Sequence, residues 1–288
     1  MCKKGLRKEL KFSATEYTYM AKGYYESGLF EKALECVENA YVLFGRDKKA
    51  FRGKEEVRIC ATIYAFIIGK IGKKAEWKKA YDEVEKLCRR DGDVDRYADC
   101  LIEKGSVWDD RSATGKAVRL RKKALKVLEE KGGSEKLKAK AYYSLGTTYF
   151  KRKKYDLAEQ NYQEAFKRGD PEYLLFALGC VKICRGEYAK SLDYLYACSL
   201  KREEMCLDMP FHPKLGEIFA LIGDVYTLMG LPVKAVKFYV RALYVYEGID
   251  RVSKTSEYKT TLEKLYKTFS ALGEKERAES YKRRAEQA

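Results

Sequence analysis

The sequence predicts an all-α fold, a stack of about seven helix–turn–helix units. Three observations predict it. A pattern of aromatic, aliphatic and small residues recurs along nearly the whole chain, breaker residues fall near the middle of most recurrences, and the period-two alternation of a half-buried strand is sustained nowhere. The pattern is clearest around Gly146. Tyr142 and Leu145 stand four and one residues before this anchor, Tyr149 three after, Ala158 twelve after, Tyr162 sixteen after and Ala165 nineteen after.

Sliding that template along the chain places the units in order. The first, near 14–47, is anchored on Ala21 with Tyr17, Met20, Tyr24, Ala33, Val37 and Ala40, and Ser27-Gly28 supplies its turn. The second, near 61–94, is anchored on Ile68 with Tyr64, Ile67, Ile71, Ala80, Val84 and Leu87, and Ile71-Gly72 is its turn. The third, near 98–131, keeps Leu101, Gly105, Trp108, Ala117 and Ala124, with Thr114-Gly115 as the expected turn; Lys104 and Arg121 depart from the template. The fourth spans 139–172 around Gly146. The fifth, near 172–209, has Leu175, Leu178, Gly179, Lys182, Ser191, Leu195 and Cys198, and turns at Arg185-Gly186. The sixth, near 213–249, has Phe219, Ile222, Gly223, Tyr226, Ala235, Tyr239 and Ala242, and turns at Gly230-Leu231-Pro232. The seventh, near 256–288, has Leu262, Leu265, Tyr266, Phe269, Ala278 and Ala285, with Gly273 at the turn. Lys131-Gly132-Gly133-Ser134 reads as a loop between units, because the pattern continues on both sides.

The slot twelve after the anchor reads Ala33, Ala80, Ala117, Ala158, Ser191, Ala235 and Ala278. A small side chain there lets the second helix of a unit lie against the first, where a larger one would push the axes apart. Aromatic slots fill the space beside it.

This pattern resembles the tetratricopeptide repeat family, whose unit is a helix–turn–helix of about 34 residues. Anchor spacings of 47, 37, 41, 33, 44 and 43 make most units longer than that. His212-Pro213, just ahead of the sixth unit's first helix, is similar to the longer units of kinesin light chain-type repeats. The resemblance implies one repeat domain over 1–288, a right-handed α-solenoid, and a protein-interaction scaffold that binds a peptide or protein on its concave face. In the family that face is lined by the first helix of each unit. Carried over position by position, the groove candidates include Thr18 and Lys22, Tyr143 and Thr147, Tyr173, Phe176 and Cys180, and Asp224. The alternative for the same positions is packing against neighbouring helices. A clamp for a carboxylate-ended chaperone tail needs Lys, Asn and Arg where this chain has Thr18, Lys22, Phe66, Asp99 and Glu103, so that role is disfavoured.

Composition narrows the function further. The 288 residues carry 59 Lys and Arg against 43 Asp and Glu, a formal charge of +16. One histidine, His212, leaves little for His-based triads or His-rich metal sites. There is no Gly-rich phosphate loop and no Gly-x-Ser-x-Gly elbow. The adjacent acids Asp109-Asp110 and Glu203-Glu204 diverge by about 100° on a helix and are expected to be solvated. The nine cysteines include no Cys-x-x-Cys pair and are expected to be reduced core residues; Cys180 and Cys184 share a helix face with no histidine nearby. The expectation is therefore a protein that is not an enzyme and uses no cofactor or metal. The longest uncharged apolar run, 59–69, falls short of the about 20 residues a membrane span needs, and no signal-like run follows Met1, so a cytoplasmic location is expected.

Charge is unevenly placed. From Lys116 to Arg168 there are 16 basic and six acidic residues. In a stack of hairpins the turns between first and second helices emerge along one edge. That places Lys73, Lys74 and Lys78, then Lys116 and Arg119, then Lys151, Arg152, Lys153 and Lys154 on a basic edge, with Glu76, Asp109, Asp110 and Asp156 interrupting it. Such an edge suits nucleic acid, another polyanion or an acidic protein. Membership of a larger assembly is a further alternative, and the oligomeric state is not readable from sequence.

Overall fold

In the computed structural model the described residues are 12–46, 55–71, 74–169, 172–205, 211–249 and 256–288. They form fourteen α-helices and, among them, no strand. The chain divides into two compact units, 1–148 and 149–288, with the boundary inside one helix.

The first unit holds α1 (Ala14–Glu26), α2 (Phe30–Arg46), α3 (Glu55–Lys70), α4 (Lys74–Asp91), α5 (Val94–Asp109), α6 (Thr114–Glu130) and most of α7 (Glu135–Lys151). α1 opens on a capping box, in which Ser13 accepts from the Glu16 N–H and Glu16 accepts from the Ser13 N–H. Asp93 caps α5 by accepting from the Arg96 N–H at 3.0 Å. Helices pair as α1–α2, α3–α4 and α5–α6, and successive first helices also meet, α1 with α3 and α3 with α5. The first helices thus form a layer of their own.

The second unit holds the end of α7, α8 (Tyr155–Phe166), α9 (Glu172–Cys184), α10 (Tyr188–Met205), α11 (Pro213–Leu228), α12 (Pro232–Glu247), α13 (Ser256–Ala271) and α14 (Lys275–Gln287). Here α9 pairs with α10, α11 with α12 and α13 with α14, and α10–α11 and α12–α13 join the pairs. His212 caps α11, its Nδ1 accepting from the Lys214 N–H at 3.1 Å, with Pro213 at the first helical position, where a missing N–H costs nothing.

All seven small-slot residues are buried, none more than 4% exposed. The reason is visible at Ser191, whose hydroxyl donates to the Gly179 carbonyl across the helix pair at 3.0 Å. Facing it, a Cβ on Gly179 would stand 2.9 Å from Leu195, and one on Gly223 would stand 2.5 Å from the Tyr239 ring. Helix pairs this close admit only small residues at the crossing.

The third hairpin departs from its expected form in two ways. Thr114 and Gly115 are not its turn but the first residues of α6; the chain reverses at Ser112, which takes a φ of 59°. Asp109 is not solvated. It is buried and ion-paired with Arg121, the residue that breaks the aromatic template. Arg121 also donates to Thr148 and, at 3.0 Å, to Ser106. A polar cluster therefore stands where Tyr162 and Tyr239 fill the fourth and sixth hairpins. Lys104, the other misfit, reaches Asp82 at 2.7 Å and Glu85 at 2.6 Å on α4.

Candidate binding surfaces

The first helices of the second unit carry a cleft of about 380 Å³. Phe176 and Cys180 line it from α9, Glu217, Ala220, Leu221 and Asp224 from α11, and Thr260, Thr261 and Lys264 from α13; Tyr246 of α12 reaches it from behind. Phe176 and Cys180 lie one helical turn apart and therefore on one face. The same spacing brings Glu217, Ala220, Leu221 and Asp224 onto one stripe of α11.

Electrostatics divide the cleft. Asp224 accepts from the Tyr239 hydroxyl at 2.8 Å and from Lys264 at 2.7 Å, which ties α11 to α12 and α13. Burial pushes the Tyr239 hydroxyl well above its ordinary range, so it stays a donor. Glu217 is paired at 2.7 Å with Lys214. Glu257, also on the wall, adds a third carboxylate; among the described lining residues Lys264 is the one cation. Burial pushes the Cys180 thiol up to about 12, which keeps it protonated and makes it an apolar wall element rather than a nucleophile.

Of the groove candidates, the structure brings Phe176, Cys180 and Asp224 to this cleft. Tyr173, on α9, is 44% exposed and lies outside the lining. Tyr143 and Thr147 are half-buried on α7 in the first unit, and the Thr147 hydroxyl donates to the Tyr143 carbonyl at 3.1 Å. Lys22 is exposed on α1, 4.0 Å from Glu26. Thr18 is a correction. It is fully buried and donates to the Ala14 carbonyl at 2.8 Å, so it offers no surface to a ligand. In the first unit Asp99 and Glu103 of α5 both hold Lys140 of α7, at 2.6 and 2.8 Å. Burial alone would lower the Lys140 ammonium, but the two carboxylates outweigh it and raise it.

Among the basic-edge candidates, Lys78, Lys116 and Arg119 are exposed in the first unit, and Lys151, Arg152, Lys153 and Lys154 are exposed in the second, where Lys153 takes a φ of 57°. Lys73, and the side chain of Lys74, lie outside the described residues. Asp109 does not interrupt this edge, since Arg121 holds it inside. Sequence reasoning missed what organises the first-unit part of the edge. Trp77 of α4 and Trp108 of α5 meet edge to face, centroids 5.0 Å apart, and Lys116 sits 4.1 Å over the Trp108 ring. The available signal was that the chain's two tryptophans fall in adjacent units, Trp77 beside Lys78 and Trp108 three residues before Arg111.

A family model for the tetratricopeptide repeat matches residues 139–168. A search of curated protein sequences returns no significant match. Among solved structures, the apo form of RapI is similar at 16% identity over 94% of this chain and 75% of its own, with a TM-score of 0.72. The apo form of the quorum sensor NprR from B. thuringiensis is similar at 16% identity over 96% and 77%, with a TM-score of 0.70. A tetratricopeptide repeat protein from Parabacteroides merdae is similar at 18% identity over 95% and 92%, with a TM-score of 0.57. At these identities the likeness is one of fold. No described helix is long and apolar enough to cross a membrane.

Proposed function

We propose that this tetratricopeptide-repeat chain is a protein-interaction scaffold whose second unit takes a peptide, or an exposed segment of a protein partner, in the α9–α11–α13 cleft. One observation carries the reading. Residues from three first helices line a single cleft with an apolar wall at Phe176, Cys180 and Ala220 and a polar wall at Asp224 and Thr260. An apolar wall with a few convergent polar groups is the composition of a recognition pocket, and the volume suits one or two side chains of an extended chain. Among the described residues, Lys264 and Lys214 pair with Asp224 and Glu217 and leave Glu257 over, which disfavours an acidic occupant and favours a neutral or basic one. Two of the similar structures being named as apo forms, one of them a quorum sensor, supports a ligand-receiving role for such a fold.

The test is selection of binders from a random peptide library on the full-length chain, followed by affinity measurements on variants. Phe176→Ala should weaken selected peptides by about 1 kcal/mol or more if Phe176 is an anchor contact. Thr260→Trp should obstruct the cleft without removing any of its hydrogen bonds to neighbouring helices. Selected peptides that bind both folded variants as tightly as the parent would place recognition elsewhere.

A further inference from the structure

The edge of the second and third hairpins, in the first unit, carries a cation cluster that the cleft reading does not use. The Lys116 ammonium lies 4.1 Å from the Trp108 ring centroid, and Lys78 lies 5.2 Å from Trp108 and 5.9 Å from Trp77. The Arg111 guanidinium lies 5.3 Å from Trp77 and donates to the Val107 carbonyl at 3.0 Å. Two further exposed cations, Lys79 and Arg119, flank these three.

Convergence on two indoles, with no carboxylate partner among the described residues, marks this cluster. Some cations nearby hold carboxylates: Lys104 of α5 holds Asp82 and Glu85, and Lys140 of α7 holds Asp99 and Glu103. Among the described residues, Lys78, Arg111 and Lys116 hold none. Asp109, two residues before Arg111, is already neutralised inside the hairpin by Arg121, which leaves exposed Glu76, Glu83 and Asp110 against five cations. Ring contacts hold the cations in place without neutralising them, because an indole face attracts a positive charge but carries none of its own. The result is a preorganised, uncompensated positive surface, whose self-repulsion an anionic partner would relieve.

We propose that this Trp77–Trp108 edge docks an acidic stretch, a run of Asp and Glu, of a partner protein. The rings decide between protein and nucleic acid. Single-stranded nucleic acid gains much of its affinity by stacking bases on free aromatic faces. Here Trp77 is 2% exposed and Lys116 covers the face of Trp108, so no aromatic platform is open. Carboxylates need no platform, only lysine ammonium groups and a guanidinium held ready.

The chain supplies its own reporter, since its only two tryptophans are these two. A short poly-glutamate peptide, titrated into the full-length chain at low salt, should bind saturably and shift the tryptophan emission as carboxylates come up to the ring-held cations. The double reversal Lys78→Glu/Lys116→Glu should weaken that binding about tenfold or more, while the charge-matched Lys151→Glu/Lys153→Glu changes it little. Circular dichroism establishes that both variants keep the parent's helicity. If the double reversal misfolds, Lys78→Gln/Lys116→Gln serves the same comparison. Three results would overturn the proposal: no saturable binding, equal weakening by the two reversals, or tighter binding of a single-stranded oligonucleotide with the same emission shift. A cleft-obstructing Thr260→Trp variant should bind poly-glutamate like the parent, which keeps this outcome separate from that of the second-unit cleft.

Discussion

Arg121 of α6 donates to the Asp109 carboxylate of α5 in the closed interior of the third hairpin, where neither side chain is more than 4% exposed. The pair occupies the position that Tyr162 and Tyr239 fill in other hairpins. A charge pair this deep contributes little net stability while intact, because the desolvation cost offsets the attraction. Removing one member exposes that cost. Asp109→Ala should destabilise the fold by about 3–5 kcal/mol by leaving the guanidinium buried without its carboxylate, whereas Asp109→Leu combined with Arg121→Met should recover most of the loss. Denaturant unfolding followed by circular dichroism checks both; a harmless single variant would mean that water reaches the pair.

Close helix approach predicts a graded response at small residues. Ala235 is fully buried, and Ala235→Leu should cost about 1–3 kcal/mol through overpacking. Gly223→Ala should cost a similar amount, because its Cβ would press on Tyr239, whose hydroxyl is fixed to Asp224 and Thr227. Gly115→Ala meets nothing within 4 Å at the start of α6 and should stabilise by up to about 1 kcal/mol. Thermal melts of the three variants should keep that order.

Thiol chemistry should follow burial. Cys184 is exposed, whereas burial pushes the Cys180 thiol up to about 12 and likewise raises Cys60 and Cys198 to about 12. Iodoacetamide near neutral pH should therefore modify Cys184 ahead of Cys60, Cys180 and Cys198, which react appreciably only in denaturant, as read by mass spectrometry of the peptides. Rapid native labelling of Cys180 would mean that the cleft wall opens.

Acid should weaken the fold through specific carboxylates. Hydrogen bonds from Lys190 and Lys182 hold Glu187 at about 2, down from an ordinary 4.5, and Arg185 lies 2.8 Å away. Arg90 and then Arg58 hold Asp91 at about 2, down from 3.8. Depressed carboxylates stabilise the folded state above the unfolded value, and the contribution is lost as pH falls through the folded one. Melting temperature should thus decline from about pH 4.5 toward pH 2, and less steeply in Glu187→Gln/Asp91→Asn. An unchanged slope would assign acid sensitivity to other groups.

The repeat was legible because it rests on spacing: the seven small-slot residues are set by how near two helices can come, and each lands in the interior. The cleft was legible in part for the same reason, since Phe176, Cys180 and Asp224 follow helix register. Thr18 shows the limit, because register gives the face of a helix but not what covers that face. The pairs formed across helices were not legible. Asp109 is twelve residues from Arg121, and Trp77 is 31 from Trp108, and each side chain alone reads as surface charge or as packing. Their meaning comes from a neighbour that only the fold supplies.

The placement of both indoles within residues 1–148 also bears on how the array comes apart. Tryptophan fluorescence follows the unfolding of the N-terminal unit, while circular dichroism follows helices from end to end. Repeat arrays lie between a single all-or-none transition and piecewise melting, according to how strongly neighbouring repeats are coupled. Superimposable fluorescence and dichroism curves would make the seven hairpins one cooperative body. Curves that separate would give the stability of each half directly, from the unlabelled wild-type chain.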